Sequence, residues 1–262
     1  MKRLAYAKVN LFLNVKENRN DGYHNLEMVN IMINLADELN FELTDGEIKV
    51  VVYAKNDLNG KNNLAYKVAD YLKKVYKVKS GVKITINKKI PVGGGLAGGS
   101  SDAACTLSAL NELWSLGLSN EQLFEISKRF GSDTPYCFYQ GPAIVKGVGD
   151  DIEALDIDIS DFDILLFNKG INVSTGTVFK NLKETNKYSL DEAVDCLRSK
   201  DYETFIKGLK NDLQDTVFEL YSEVKNQYES LKNIYGEEGL FMSGSGSTII
   251  KIAKKGEAVH KH

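Results

Sequence analysis

Histidine is scarce in this 262-residue chain, which has only His24, His260 and His262. Three imidazoles so placed make no cluster for a zinc site and give a cysteine nucleophile no distributed partner. His260 and His262 close a Lys-rich end and read as solvated tail. Cysteine is as rare: Cys105, Cys137 and Cys196 are odd in number and widely spaced, which argues against a disulfide framework and for small buried apolar residues. An excess of basic charge is also missing, since 33 Lys and Arg face 36 Asp and Glu for a net charge of −3. The chain therefore lacks the electrostatic footprint of a nucleic-acid or anionic-membrane binder, and any recognition of phosphate has to be local. No apolar run approaches the ~18 residues of a membrane span. Lys8, Asn10 and Asn14 interrupt the apolar start that a signal peptide would need. Internal repeats and low-complexity tracts are absent. The expectation is a cytoplasmic protein with no nucleic-acid or membrane partner; the sequence carries no signal of oligomeric state.

What is present is an ordinary globular composition, 43% hydrophobic and 26% charged, long enough for one large domain or two modest lobes. Within it, the stretch from Pro91 to Ala104 stands out, with five glycines among the seven residues Gly93 to Gly99. Glycine lets the backbone take positive φ and bring its N–H groups close to a bulky anion. Upstream, Val82 to Asn87 alternates as a strand does; downstream, Ser100 or Ser101 opens a run of good helix formers. The order strand, glycine loop, helix delivers an anion to a helix N-terminus. Gly94 and Gly99 have the spacing of a P-loop, but Ser100 follows where lysine is needed. Gly93, Gly95 and Gly98 spell a dinucleotide fingerprint, but Glu121 stands at a helix start rather than at the end of a second strand. A flexible linker would not join an alternating strand directly to a strong helix.

Pro91-Val-Gly-Gly-Gly-Leu-Ala-Gly-Gly-Ser-Ser-Asp-Ala-Ala104 resembles the second signature of the GHMP kinases, the superfamily of galactokinase, homoserine kinase, mevalonate kinase and phosphomevalonate kinase. Within that superfamily it looks most like the 4-diphosphocytidyl-2-C-methyl-D-erythritol kinase family. Other stretches agree in order. Leu4 to Val15 alternates as a strand, with Lys8 and Asn10 on one face, the wet face of an edge strand on a bland reading. Ala7-Lys-Val-Asn-Leu11 is similar to the family's first signature, which implies Lys8 in the catalytic centre and Asn10 at the acceptor. Asp21-Gly-Tyr-His24 is a turn by composition and resembles the cytidine-recognition turn, implying Tyr23 and His24 as base contacts. Asn63 reads as the N-cap of a helix through about Tyr76, and the resemblance adds an adenine contact. Gly131-Ser-Asp-Thr-Pro135 reads by composition as a turn, or as an Asp capping the next segment; it resembles the segment bearing the catalytic aspartate, here Asp133. Phe179, plain core on one reading, matches a second face for cytosine. Phe241 to Lys251 reads as strand, loop, strand and resembles the third signature, a loop packed beside the phosphate cradle. Helices are expected at Ser119 to Phe130, Ser189 to Ser199, Tyr202 to Leu213 and Val217 to Tyr235.

The resemblance implies an α+β fold of two lobes, a nucleotide-binding N-terminal lobe (1–155, ribosomal S5 domain 2-like) and a smaller α/β C-terminal lobe (156–262), with the active site between them. Similar kinases continue with a further helix and strand, so the last elements are expected to be missing. The implied activity is ATP-dependent phosphorylation of the 2-hydroxyl of 4-(cytidine 5'-diphospho)-2-C-methyl-D-erythritol, in non-mevalonate isoprenoid precursor synthesis. ATP would lie on Pro91, Val92, Gly93, Gly94, Gly95, Leu96, Ala97, Gly98, Gly99, Ser100 and Ser101, with Asn63 at the adenine. Mg²⁺ arrives with ATP, and no residue is assigned as a metal ligand. Asp133 takes the hydroxyl proton with Lys8 as its counter-charge; Asn10, Tyr23, His24 and Phe179 hold the acceptor. A GHMP kinase for another small alcohol, or a nucleotide-binding module without turnover, are the alternatives.

Overall fold

The computed structural model describes residues 1–257 except 20, 21, 23 and 54. They form two compact units. The first comprises Met1–Lys8, Met32–Pro91 and Ala97–Gln140; the second comprises Val9–Ile31, Val92–Leu96 and the chain from Gly141 on. Two long strands, β1 (Lys2–Asn18) and β2 (His24–Thr44), therefore contribute residues to both.

In the first unit, β3 (Ile48–Val52), β4 (Gly81–Asn87), β2 and β1 lie side by side in that order. The β3/β4 pair is parallel and β4 runs antiparallel to β2, with Leu39 opposite Ile86 and Phe41 opposite Ile84. Val82, Ile84 and Ile86 alternate into the core with Leu39, Phe41, Val50 and Val52. Helices α1 (Leu64–Val75) and α2 (Gly98–Leu113) bring Val68, Leu72, Leu107 and Leu110 to the same core. Each such side chain, fully buried, contributes about 1.5–3 kcal/mol. Asn63 caps α1 as expected, its side-chain oxygen accepting from the Ala65 N–H at 2.9 Å. Helix α3 (Asn120–Ser127) opens with a capping box between Ser119 and Gln122 and passes into a 3₁₀ turn to Phe130. The short α4 (Thr134–Tyr139), not expected from the sequence, follows at once.

In the second unit, β5 (Ala143–Gly147) pairs with β2 over Leu26 to Asn30 and forms a hairpin with β6 (Asp151–Ala154). A second sheet joins β7 (Phe162–Phe167), β10 (Ile249–Lys254) and β9 (Leu240–Met242) in that order, all antiparallel. Helices α5 (Thr175–Lys180) and α6 (Leu190–Leu197) start at Ser174 and Ser189, each capping through its hydroxyl. Two expected helices are broken. The segment from Tyr202 gives α7 (Tyr202–Phe205) and a 3₁₀ turn, then leaves helix as β8 (Lys210–Asn211), parallel to β1. Gly208 sits at that break because a Cβ there would lie 2.7 Å from Leu197 Cγ and 2.8 Å from the Ala193 carbonyl oxygen. The last long helix is two, α8 (Gln214–Leu220) and α9 (Ser222–Tyr235), interrupted at Tyr221, whose hydroxyl accepts the Ser174 N–H at 3.1 Å.

Candidate active site

Both faces of β1 are covered from Ala7 to Val15. Ala5, Ala7, Val9 and Leu11 are buried on one side, and Lys8, Asn10 and Phe12 on the other, so the edge-strand reading of Lys8 and Asn10 does not hold. A buried ammonium is kept only with a partner. Lys8 Nζ lies 3.5 Å from Asp133 Oδ1, and the lysine side chain is 5% exposed against 35% for the aspartate. The pair thus presents its carboxylate outward and its cation inward. Asp133 occupies the N-cap position of α4, where its side chain makes no capping hydrogen bond. The capping alternative for this residue is thereby removed. Tyr136 and Cys137 of the same helix stay protonated, burial being the first cause that pushes both groups up.

The glycine loop turns through positive φ at Gly93, Gly95 and Ala97 (+67°, +75° and +56°). Helix α2 then begins at Gly98, earlier than the serines. Ala97 is its N-cap and has no side chain to cap with, so the first-turn N–H groups stay uncapped by side chain. Ser101 Oγ donates instead to the Tyr6 carbonyl at 2.6 Å, tying the helix to β1. Leu96 is a buried anchor while Val92 is exposed. Gly95 is constrained by the protein itself, because a Cβ there would lie 2.3 Å from the Ser243 carbonyl oxygen. Ser243 Oγ donates to Gly95 O at 3.2 Å and Thr248 N–H donates to Gly94 O at 3.3 Å. The loop between β9 and β10 is therefore packed beside the glycine loop, as the sequence suggested.

Among the acceptor candidates, the His24 and Phe179 rings meet at 5.1 Å with a 33° tilt, both half-buried. Tyr23 lies outside the described residues. Asn10 Nδ2 donates to Asn30 Oδ1 at 2.6 Å and to Met28 Sδ at 3.3 Å. Asn30 is itself fully buried, and among the described residues its Nδ2 has no partner. Sequence reasoning missed Asn30. Asn63, the adenine candidate, uses both ends of its amide locally, since Nδ2 donates to Leu58 O at 2.9 Å.

A buried charge cluster was missed as well. Lys88 Nζ donates to Asp37 Oδ2 and, at 2.9 Å, to Asp102 Oδ2. Asp37 also accepts the backbone N–H groups of Lys89 and Ile90 at 2.6 and 2.8 Å. The available signal was phase: Asp37 is two residues from Leu39 and four from Phe41, on the strand face that turns inward.

Residues 63–141 match the family model of the GHMP kinases N-terminal domain, and residues 193–261 that of the GHMP kinases C-terminal domain. The chain is 40% identical over 98% of its length to a 4-diphosphocytidyl-2-C-methyl-D-erythritol kinase of Bacillus cereus (strain AH187), of which it covers 89%. The same protein of Bacillus thuringiensis (strain Al Hakam) is also 40% identical over 98% of this chain, which covers 88% of it. A solved 4-(cytidine 5'-diphospho)-2C-methyl-D-erythritol kinase is 31% identical with a TM-score of 0.80, over 97% of this chain and 90% of that one. A homoserine kinase from Cytophaga hutchinsonii, 18% identical, shares the fold with a TM-score of 0.72, over 100% of this chain and 87% of that one.

Proposed function

The chain belongs to the GHMP kinase family, among the 4-diphosphocytidyl-2-C-methyl-D-erythritol kinases, and on that premise we propose the acceptor and the residue roles of its reaction. It is an ATP-dependent kinase of the α+β GHMP kinase fold. The acceptor is the 2-hydroxyl of 4-(cytidine 5'-diphospho)-2-C-methyl-D-erythritol, and the step belongs to non-mevalonate isoprenoid precursor synthesis in the cytoplasm. Among the described residues no helix is long and apolar enough to cross a membrane.

The observation that carries the assignment of roles is the ion pair of buried Lys8 with half-exposed, non-capping Asp133. The acceptor oxygen attacks the γ-phosphorus, its proton passes to Asp133, and the bond to the β,γ-bridging oxygen breaks to leave ADP. Transfer runs through a loose transition state, so alignment and charge matter more than base strength. Lys8 offsets negative charge developing on the phosphoryl oxygens. The nucleotide's phosphates take the uncapped N–H groups at the start of α2 and the loop from Pro91 to Ser101. Asn63 contributes to the adenine pocket. A Mg²⁺ arriving with the nucleotide would supply charge neutralisation at its phosphates, and no residue is assigned as its ligand. Asn10 faces the acceptor, and Tyr23, His24 and Phe179 recognise cytosine. The division into a nucleotide-binding lobe (1–155) and a C-terminal lobe (156–262) is part of the same proposal.

The test is ADP release measured with the cytidyl compound, homoserine and mevalonate as acceptors. Release confined to the cytidyl compound is expected. Comparable kcat/KM with another alcohol removes the acceptor assignment, and no release with any of them removes the assigned roles.

A further inference from the structure

The glycine loop is held at both ends by three charged side chains that phosphoryl transfer does not itself use. Asp37 grips the backbone N–H groups of Lys89 and Ile90, just before the loop. Asp102 lies in the first turns of α2, just after it. Lys88 bridges the two, and a Cβ at Gly98, where α2 starts, would lie 3.0 Å from its Nζ. The side chains of Lys88, Asp37 and Asp102 are 7%, 0% and 5% exposed. Burying three charges is costly, and hydrophobic residues of similar volume would hold a fold as well. A cluster kept where the chain enters the loop and where α2 leaves it calls for a role at those two ends.

We propose that Asp37, Lys88 and Asp102 are the positioning unit of the phosphate loop and that their net charge tunes affinity for ATP. This rests on the loop binding the nucleotide's phosphates. Asp102 Oδ1 is buried and, among the described residues, unpartnered. Burial first, then Asp37, pushes the Asp102 carboxyl up to about 7, with Lys88 opposing. Burial alone would lower Lys88, but the two carboxylates outweigh it and leave it raised, so it stays charged at neutral pH. Among the described residues the other titratable groups facing Asp102 are the thiols of Cys105 on α2 and Cys137 on α4, both held protonated by burial. With a proton on Asp102 the three charges sum to zero; without it they sum to −1, next to the helix start that receives phosphate. ATP affinity should therefore fall as pH rises through neutrality.

The experiment is calorimetric binding of Mg²⁺ with a non-hydrolysable ATP analogue, without acceptor, to the parent and to Asp102→Asn from about pH 6 to about 8.5, with KM for ATP followed alongside. Parent affinity is expected to weaken roughly three- to ten-fold across that range, the scale of one unit charge acting through protein. Asp102→Asn should be nearly flat, with the larger kinetic change in KM for ATP rather than KM for the acceptor. Titration of the nucleotide itself is common to both proteins and cancels in the comparison. Parallel profiles with turnover intact overturn the cluster proposal and leave the function standing. Divergent profiles with no phosphorylation of the cytidyl compound do the reverse. Should Asp102→Asn not fold, Asp102→Ala takes its place in the same comparison, parallel profiles overturning the proposal and divergent ones supporting it; a parent that binds no analogue overturns it too.

Discussion

Asp133 could have capped α4 and does not; its carboxylate turns to Lys8, and both residues should then act on one step of the reaction. Asp133→Asn is expected to keep nucleotide binding and lose nearly all turnover. Lys8→Ala should lower the same kcat, and the double variant should be far less than multiplicatively worse, because each removal already disables the pair. Steady-state kinetics of the three variants check this, and independent additive losses would dissolve the pair. Asp102 gives a residue-level prediction of another kind. Its carboxyl is raised from 3.8 to about 7, so the folded state binds that proton more tightly than the unfolded chain does. Its contribution to stability is therefore undiminished below the unfolded value and is lost as pH rises between the two, the reverse of an ordinary salt-bridged carboxylate. Thermal melts of the parent should fall relative to Asp102→Asn across that window and run parallel outside it. Parallel curves throughout would show that the cluster does not disfavour the charged form. The pairing of Lys8 with Asp133, though not the role proposed for it, was legible in the sequence through motif resemblance. Asp37, Lys88 and Asp102 were not: phase within β2 marked Asp37 alone, while Lys88 follows β4 and Asp102 lies in α2, where a charge reads as solvent-facing until its partner is known.

At the level of elements, the strands and caps were legible where one local rule decided them. Asn63, Ser119 and Ser189 all cap the helices they were expected to start. The exceptions are set by tertiary contacts. Serine was expected to open α2, but Ser101 is drawn to the Tyr6 carbonyl and the helix starts at Gly98. The helices from Tyr202 and to Tyr235 break where Gly208 must pass close to α6 and where Tyr221 reaches Ser174, and neither partner is near in sequence. Gly95 makes the same point as a prediction. Its φ of +75° and the Ser243 carbonyl oxygen 2.3 Å from a notional Cβ mean that Gly95→Val collides with another loop's backbone. Overpacking of this kind costs about 1–3 kcal/mol. The variant should therefore melt several degrees lower as well as bind ATP more weakly, whereas obstruction of phosphate alone would leave the melt unchanged. Differential scanning calorimetry beside nucleotide titration separates the two.

For the whole molecule, the exposed question is which alcohol is phosphorylated. Homoserine and mevalonate kinases share this fold at low identity, so the fold alone does not choose among acceptors. Nor does the proposed catalytic pair of Lys8 and Asp133, whose charges would not distinguish one hydroxyl from another. Choice has to come from groups gripping a remote part of the substrate, and in the second unit the His24 and Phe179 rings already touch at 5.1 Å. That spacing leaves no room for a base between those two rings, so cytosine would stack on an outer face of one of them. Binding energy gathered there positions a hydroxyl far from the base, and part of it should appear as rate. Truncating the cytidyl compound to the tetrol phosphate should lower kcat/KM severely. Replacing cytosine by uracil should also be harmful, since an exocyclic amino group becomes a carbonyl and strands a polar partner. Phe179→Ala should cost on the order of 1–3 kcal/mol in use of the acceptor, the usual worth of one base-stacking aromatic, with ATP affinity nearly unchanged. Steady-state kinetics with the three acceptors and both proteins decide it. Equal kcat/KM for the cytidyl and uridyl compounds, unaltered in Phe179→Ala, would mean that these rings only pack against each other and that selectivity lies elsewhere.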